Sequence, residues 1–127
     1  MEGRVLVGQL VWSMAVPGPR QLISDPSKFG YTSAAWPSPP PSAVARAELA
    51  AGFYIHQVVL ALRRSLTERG MTQRELASQL GVNPETLGRK IRGESWASLA
   101  DVLSWSMELG IDLLPAPAGR EELLPPG

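Results

Sequence analysis

Four glycines punctuate the second half of this chain, and each stands where an apolar helical pattern stops: Gly70, Gly81, Gly93 and Gly110. Glycine closes a helix because it enters the left-handed conformation without a Cβ clash. Three of the helical segments open on a side chain whose oxygen can accept from a first-turn N–H, namely Thr72, Asn83 and Ser98. A chain punctuated this closely has room for short helices and tight turns.

The apolar positions agree with the punctuation. Ile55, Val59, Leu62 and Leu66 form one helical stripe that ends at Gly70. Its start is open, at Ser42 or after Gly52, because an internal glycine costs about 1 kcal/mol. Thr72-Gln73-Arg74-Glu75 is a capping box, with Leu76, Ala77 and Leu80 as the buried face of the helix it opens. Asn83 caps the next helix and Pro84 suits its first position. Leu87 and Ile91 face inward there. After Ser98, the residues Leu99, Val102, Leu103, Trp105 and Leu109 are expected to supply the apolar side of the last helix. Val82 is expected to plug the angle between the second and third helices.

The predicted class is all-α, a compact domain of four to five helices spanning 42–112 with a Pro-rich N-terminal extension. Residues 1–41 are the extension and linker. Val5–Met14 is a candidate strand with imperfect alternation, and Trp36-Pro37-Ser38-Pro39-Pro40-Pro41 reads as an extended connection. Trp12 and Trp36 are candidates to dock on the helices or to form a dimer surface. Residues 113–127 are an acidic, Pro- and Gly-containing tail, expected to be irregular.

Composition excludes several function classes. The 127 residues contain no cysteine, which removes disulfides, thiolate zinc sites and cysteine nucleophiles. The single histidine, His56, excludes a two-histidine metal motif, and beside the Ile55–Val59 stripe it reads as a packing residue. No phosphate-cradling glycine loop or nucleophile elbow is present. The expectation is a non-enzyme without cofactor or metal. The apolar run Val5–Val16 is interrupted by Gly8, Gln9 and Ser13 and is too short for a membrane span, so the chain reads as cytoplasmic and nucleoid-associated, with no membrane partner. Twelve bases balance twelve acids, but unevenly: residues 52–96 hold seven bases and four acids, and residues 97–127 one base and five acids. A basic middle beside an acidic end can present one face to a polyanion.

Two short helices joined by a turn of about four residues, the second capped and basic, make a helix-turn-helix. Ala77 is small enough for close helix approach, and Gly81 supplies the turn. The run Met71-Thr72-Gln73-Arg74-Glu75-Leu76-Ala77-Ser78-Gln79-Leu80-Gly81-Val82, continuing through Asn83–Gly93 and on to Leu113, resembles the lambda-repressor-like family, also called phage repressor/Cro-like or Xre. The resemblance covers about 55–113. Lys90 departs from it, standing where many members bury an apolar residue, with Ile91 as the anchor instead. Trp105 and Ser106 replace an aliphatic–alanine pair and imply a different core shape.

The resemblance implies a sequence-specific double-stranded DNA-binding transcriptional regulator, often a homodimer, with a recognition helix at about 84–92 in the major groove. By position, Pro84, Glu85, Thr86 and Arg89 face the bases. Arg89 suits guanine O6 and N7, Thr86 a hydrogen bond or a thymine methyl, and Glu85 cytosine N4. Glu85 also suits the first-turn dipole and Pro84 also suits helix initiation, so both have structural readings. Gln73 is implied as a phosphate contact, with Arg74, Lys90, Arg92 and Ser95 as further candidates. Arg63, Arg64 and Arg69 read as solubilising charges on the first helix. The alternative is a protein-interaction module, an antitoxin or assembly adaptor, that engages a protein partner through residues 1–50 or the C-terminal tail. The polar, Arg-containing face at Thr86 and Arg89 favours DNA.

Overall fold

The computed structural model describes residues 17–113 and 123–125. Among these are four α-helices, two short 3-10 turns and no strand, so the domain is all-α as predicted. The helices are α1 (Ala43–Arg69), α2 (Gln73–Leu80), α3 (Pro84–Ile91) and α4 (Leu99–Leu109). The 3-10 turns are Pro19–Leu22 and Pro26–Lys28. The candidate strand Val5–Met14, Trp12 and tail residues 114–122 lie outside the described residues.

The local signals produce the elements they announce. The Thr72 hydroxyl accepts from the Glu75 N–H at 3.0 Å, and the Glu75 carboxylate accepts from the Thr72 N–H at 2.8 Å. Asn83 Oδ1 accepts from the Glu85 and Thr86 N–H groups at 2.8 and 3.3 Å. Ser98 and Asp101 form a second reciprocal box at the start of α4. Gly70, Gly81, Gly93 and Gly110 all take positive φ.

α1 starts at Ser42, whose hydroxyl accepts from the Ala45 N–H, and runs unbroken through Gly52. The glycine is there for packing. A Cβ on Gly52 would lie 2.4 Å from Leu22 Cδ1, so the first 3-10 turn can rest directly on the helix. Close approach of the N-terminal segment offsets the intrinsic helix cost of glycine.

The core is built from Val58, Val59 and Leu62 of α1, Leu76 and Ala77 of α2, Leu87 and Ile91 of α3, and Val102, Trp105 and Leu109 of α4. Trp105 is the largest fully buried side chain. Its neighbour Ser106 donates its hydroxyl hydrogen to the Ile111 carbonyl and accepts from the Leu113 N–H at 3.4 Å, tying down the chain after α4. Three apolar residues assigned to the interior are outside it: Leu99 is 65 % exposed, Leu103 39 % and Val82 45 %. At 100° per residue, Leu99, Leu103 and Met107 fall on a different α4 face from Val102, Trp105 and Leu109. Val82 lines only a small surface depression with Thr86 and Trp105.

The N-terminal segment contributes to this core. Phe29 is 1 % exposed and Ile23 is buried, while Trp36 packs against the cluster. Phe29, Trp36 and Phe53 surround His56 with ring centroids 5.2 to 6.1 Å from its own. The Gly30 N–H donates to His56 Nδ1 at 2.9 Å. Residues 34–40 carry no regular element before α1 begins.

Candidate DNA-binding face

α3 divides sharply into two faces. Leu87, Gly88 and Ile91 are buried against the other helices, and Pro84, Glu85, Thr86 and Arg89 are all exposed on the outward side. The structure thus brings the four residues assigned to base contacts onto one open surface. The Arg89 guanidinium lies 3.4 Å from Glu85 one turn earlier, with both side chains more than half exposed. Such a pair contributes about 0.3–0.5 kcal/mol, so it orients Arg89 without withholding it from a stronger acceptor.

The residues assigned to phosphates are less uniform. Arg74 is exposed on the first turn of α2, and Gln73 is half-buried at its first position. Lys90 reaches across to Asp101 at 2.8 Å and ties α3 to the start of α4. Burial pushes the Asp101 carboxyl up, but hydrogen bonds from Lys90 and Ser98 outweigh it and hold the group below its ordinary value. Arg92 donates to Glu94 at 2.5 Å, and that hydrogen bond holds the Glu94 carboxyl low. Ser95 is half-buried, its N–H directed at the Arg89 carbonyl.

Several supporting residues carry no sequence signal. Gly18 packs its backbone on the turn after α3, so closely that a Cβ would lie 2.3 Å from the Gly93 carbonyl oxygen. The Arg20 N–H donates to that carbonyl at 3.1 Å, and the Arg20 guanidinium lies 3.8 Å from Glu94. The Phe29 ring fills the space beside Gly93, where a Cβ would meet it at 2.5 Å. The N-terminal segment therefore holds the exit of α3. Arg69, read as a solubilising charge, instead donates to the Leu109 carbonyl and joins the ends of α1 and α4.

His56 sits apart from this face. Burial pushes its pKa down to about 4, and Nδ1 is occupied by the Gly30 N–H, so it is a neutral packing residue. Among the described residues no group of three or more His, Asp or Glu could hold a metal ion, and no helix is long and apolar enough to cross a membrane.

Compared with protein-family models, the chain matches the one described as Helix-turn-helix over residues 62–114. No curated protein and no solved structure matches the chain. The matched span contains the end of α1 and all of α2, α3 and α4, the elements that form and support the open face. The family is one of DNA-binding transcription regulators and is not typically enzymatic. Residues 62–114 form a helix-turn-helix domain similar to those of the lambda-repressor-like family.

Proposed function

We propose that the protein is a sequence-specific regulator that inserts α3 into the major groove of double-stranded DNA. The observation that carries this reading is the two-sided α3: an interior of Leu87 and Ile91, and an open exterior of Glu85, Thr86 and Arg89. Arg89 donates to guanine O6 and N7, Thr86 contacts a neighbouring base, and Glu85 accepts from cytosine or steers Arg89. Pro84 starts the helix at the groove floor. Gln73, Arg74, Arg92 and Ser95 fix the phosphate backbone, and Lys90 adds a contact when it exchanges Asp101 for a phosphate. A face made for a protein partner would be more apolar at these positions.

A homodimer on an inverted repeat fits the exposed Leu99, Leu103 and Met107 stripe of α4, which lies away from the core. Sites are found by selecting duplexes from a randomised pool with the full chain, then titrating the selected and scrambled duplexes by fluorescence anisotropy. The expected result is a preference of about a thousandfold or more that Arg89→Ala removes. A pool that yields no enriched sequence overturns the reading.

A further inference from the structure

Two surface depressions meet at Arg63. One is a trench of about 620 Å³ whose lining includes Tyr31, Thr32, Arg63, Arg64, Thr67 and Glu68. The other places Arg63 and Thr67 in the same hollow as Gln73, at the first position of α2. Sharing Arg63 and Thr67, they form one continuous track from Gln73 back to the N-terminal segment.

The fold builds this track deliberately close. Gly30 has φ +80° and lies so near α1 that a Cβ would stand 2.7 Å from Val59 Cγ1. That approach, with the Gly30 N–H held by His56, sets Tyr31 above the middle of α1. The Arg63 guanidinium carbon then lies 4.5 Å from the centre of the Tyr31 ring. Stacking on an aromatic face orients a guanidinium while leaving its edge donors available to an anion. Arg63 Nε is buried without a hydrogen-bond partner. Among the described residues neither Arg63 nor Arg64 forms an ion pair, whereas Arg20, Arg89, Lys90 and Arg92 all do. The rest of the trench lining is the hydroxyls of Thr32 and Thr67, the Glu68 carboxylate, Gly30 and the apolar Leu60.

We propose that this track is a second contact surface for the DNA phosphate backbone, in which Tyr31 of the N-terminal segment presents Arg63, with Arg64 beside it, to phosphates flanking the one at Gln73. The inference rests on the DNA-binding reading and extends the footprint beyond the helix-turn-helix. The guanidinium and hydroxyl donors suit phosphate oxygens. Base edges are left to α3.

Phosphate contacts are sensed without knowing the operator, because each one lost lowers the salt dependence of binding. The full chain is titrated by anisotropy against a random-sequence duplex at several salt concentrations. Arg63→Gln with Arg64→Gln is expected to lower the slope of log K against log salt by about 1.8, and Arg64→Gln alone by about 0.9. Tyr31→Leu is expected to weaken binding in part, and Glu68→Gln to strengthen it. Arg46→Gln, an equal loss of charge on an exposed residue near the start of α1, is expected to leave the slope unchanged. Circular dichroism and thermal midpoints show which variants fold. Because Arg64 is exposed, its single variant keeps the test decisive should the Arg63 substitution disturb the packing. An unchanged slope for both arginine variants, while Arg74→Ala still lowers it, overturns the proposal and leaves the DNA reading standing. An equal fall for Arg46→Gln also overturns it, since the effect is then net charge. A wild-type chain that binds no duplex removes the DNA reading and this inference together.

Discussion

Burial in the aromatic cluster holds His56 neutral, and its Nδ1 accepts the Gly30 N–H. Protonation would place a donor against that donor and a charge among three rings. The sign of the pH effect follows from the two states. The unfolded histidine takes a proton near pH 6.5, and the folded one only near pH 4. Between those values the unfolded state binds more protons, so stability falls as pH falls. The expected loss across the window is about 3 kcal/mol, measured by urea denaturation at a series of pH values. His56→Leu should abolish this part of the slope, at the cost of leaving the Gly30 N–H unpaired. At the same scale Arg89 is free to act because its pairing with Glu85 is weak and exposed, and Arg89→Ala is expected to change DNA preference while leaving stability within about 0.5 kcal/mol.

Elements are held at their ends. The Ser98–Asp101 box starts α4, and Asp101 also receives Lys90 from α3, so one turn fixes both helices. Ser98→Ala is expected to cost about 1 kcal/mol in thermal or urea unfolding. The other end of α3 depends on the N-terminal segment. Gly18→Ala would drive a Cβ into the Gly93 and Glu94 backbone at 2.3 to 2.4 Å. Backbone cannot swing aside as a side-chain tip does, so the expected cost is about 1–3 kcal/mol, with weaker DNA binding as the turn after α3 shifts. Unchanged stability in this variant would show that the segment does not brace α3.

At the scale of the whole molecule, the helix-turn-helix segment does not supply its own complete core. Phe29 and Ile23 lie within the same buried cluster as Leu87, Ile91 and Trp105. Small helical domains bury a modest fraction of their surface, and a covering segment or a second copy raises it. The covering segment is present between Gly18 and Trp36. A second copy is the role proposed for the α4 stripe of Leu99, Leu103 and Met107. Sedimentation equilibrium is expected to show a dimer that Leu103→Glu converts to a folded monomer. A wild-type chain that sediments as a monomer at high concentration would leave the stripe without this role.

The helix ends, the Thr72–Glu75 capping box and the glycine stops were legible because each is decided within about four residues of chain. The outward placement of Glu85, Thr86 and Arg89 was implied by the family resemblance, and it agrees with Leu87 and Ile91 pointing inward one turn apart. The reading failed where a side chain's fate depends on a distant neighbour. Leu99 and Leu103 look like core residues by type, but α4 turns them away from α2 and α3. Gly52 leaves the start of α1 open until Leu22 is seen lying on it. Arg69 looks solvated until Leu109, 40 residues later, accepts its hydrogen bond. Sequence alone determined which short helices form and which faces they offer. Tertiary structure decided which face meets the core, which charges are already paired, and that the N-terminal segment belongs to the domain. Contacts between residues far apart in the chain leave no spacing pattern, so only the folded backbone can place them.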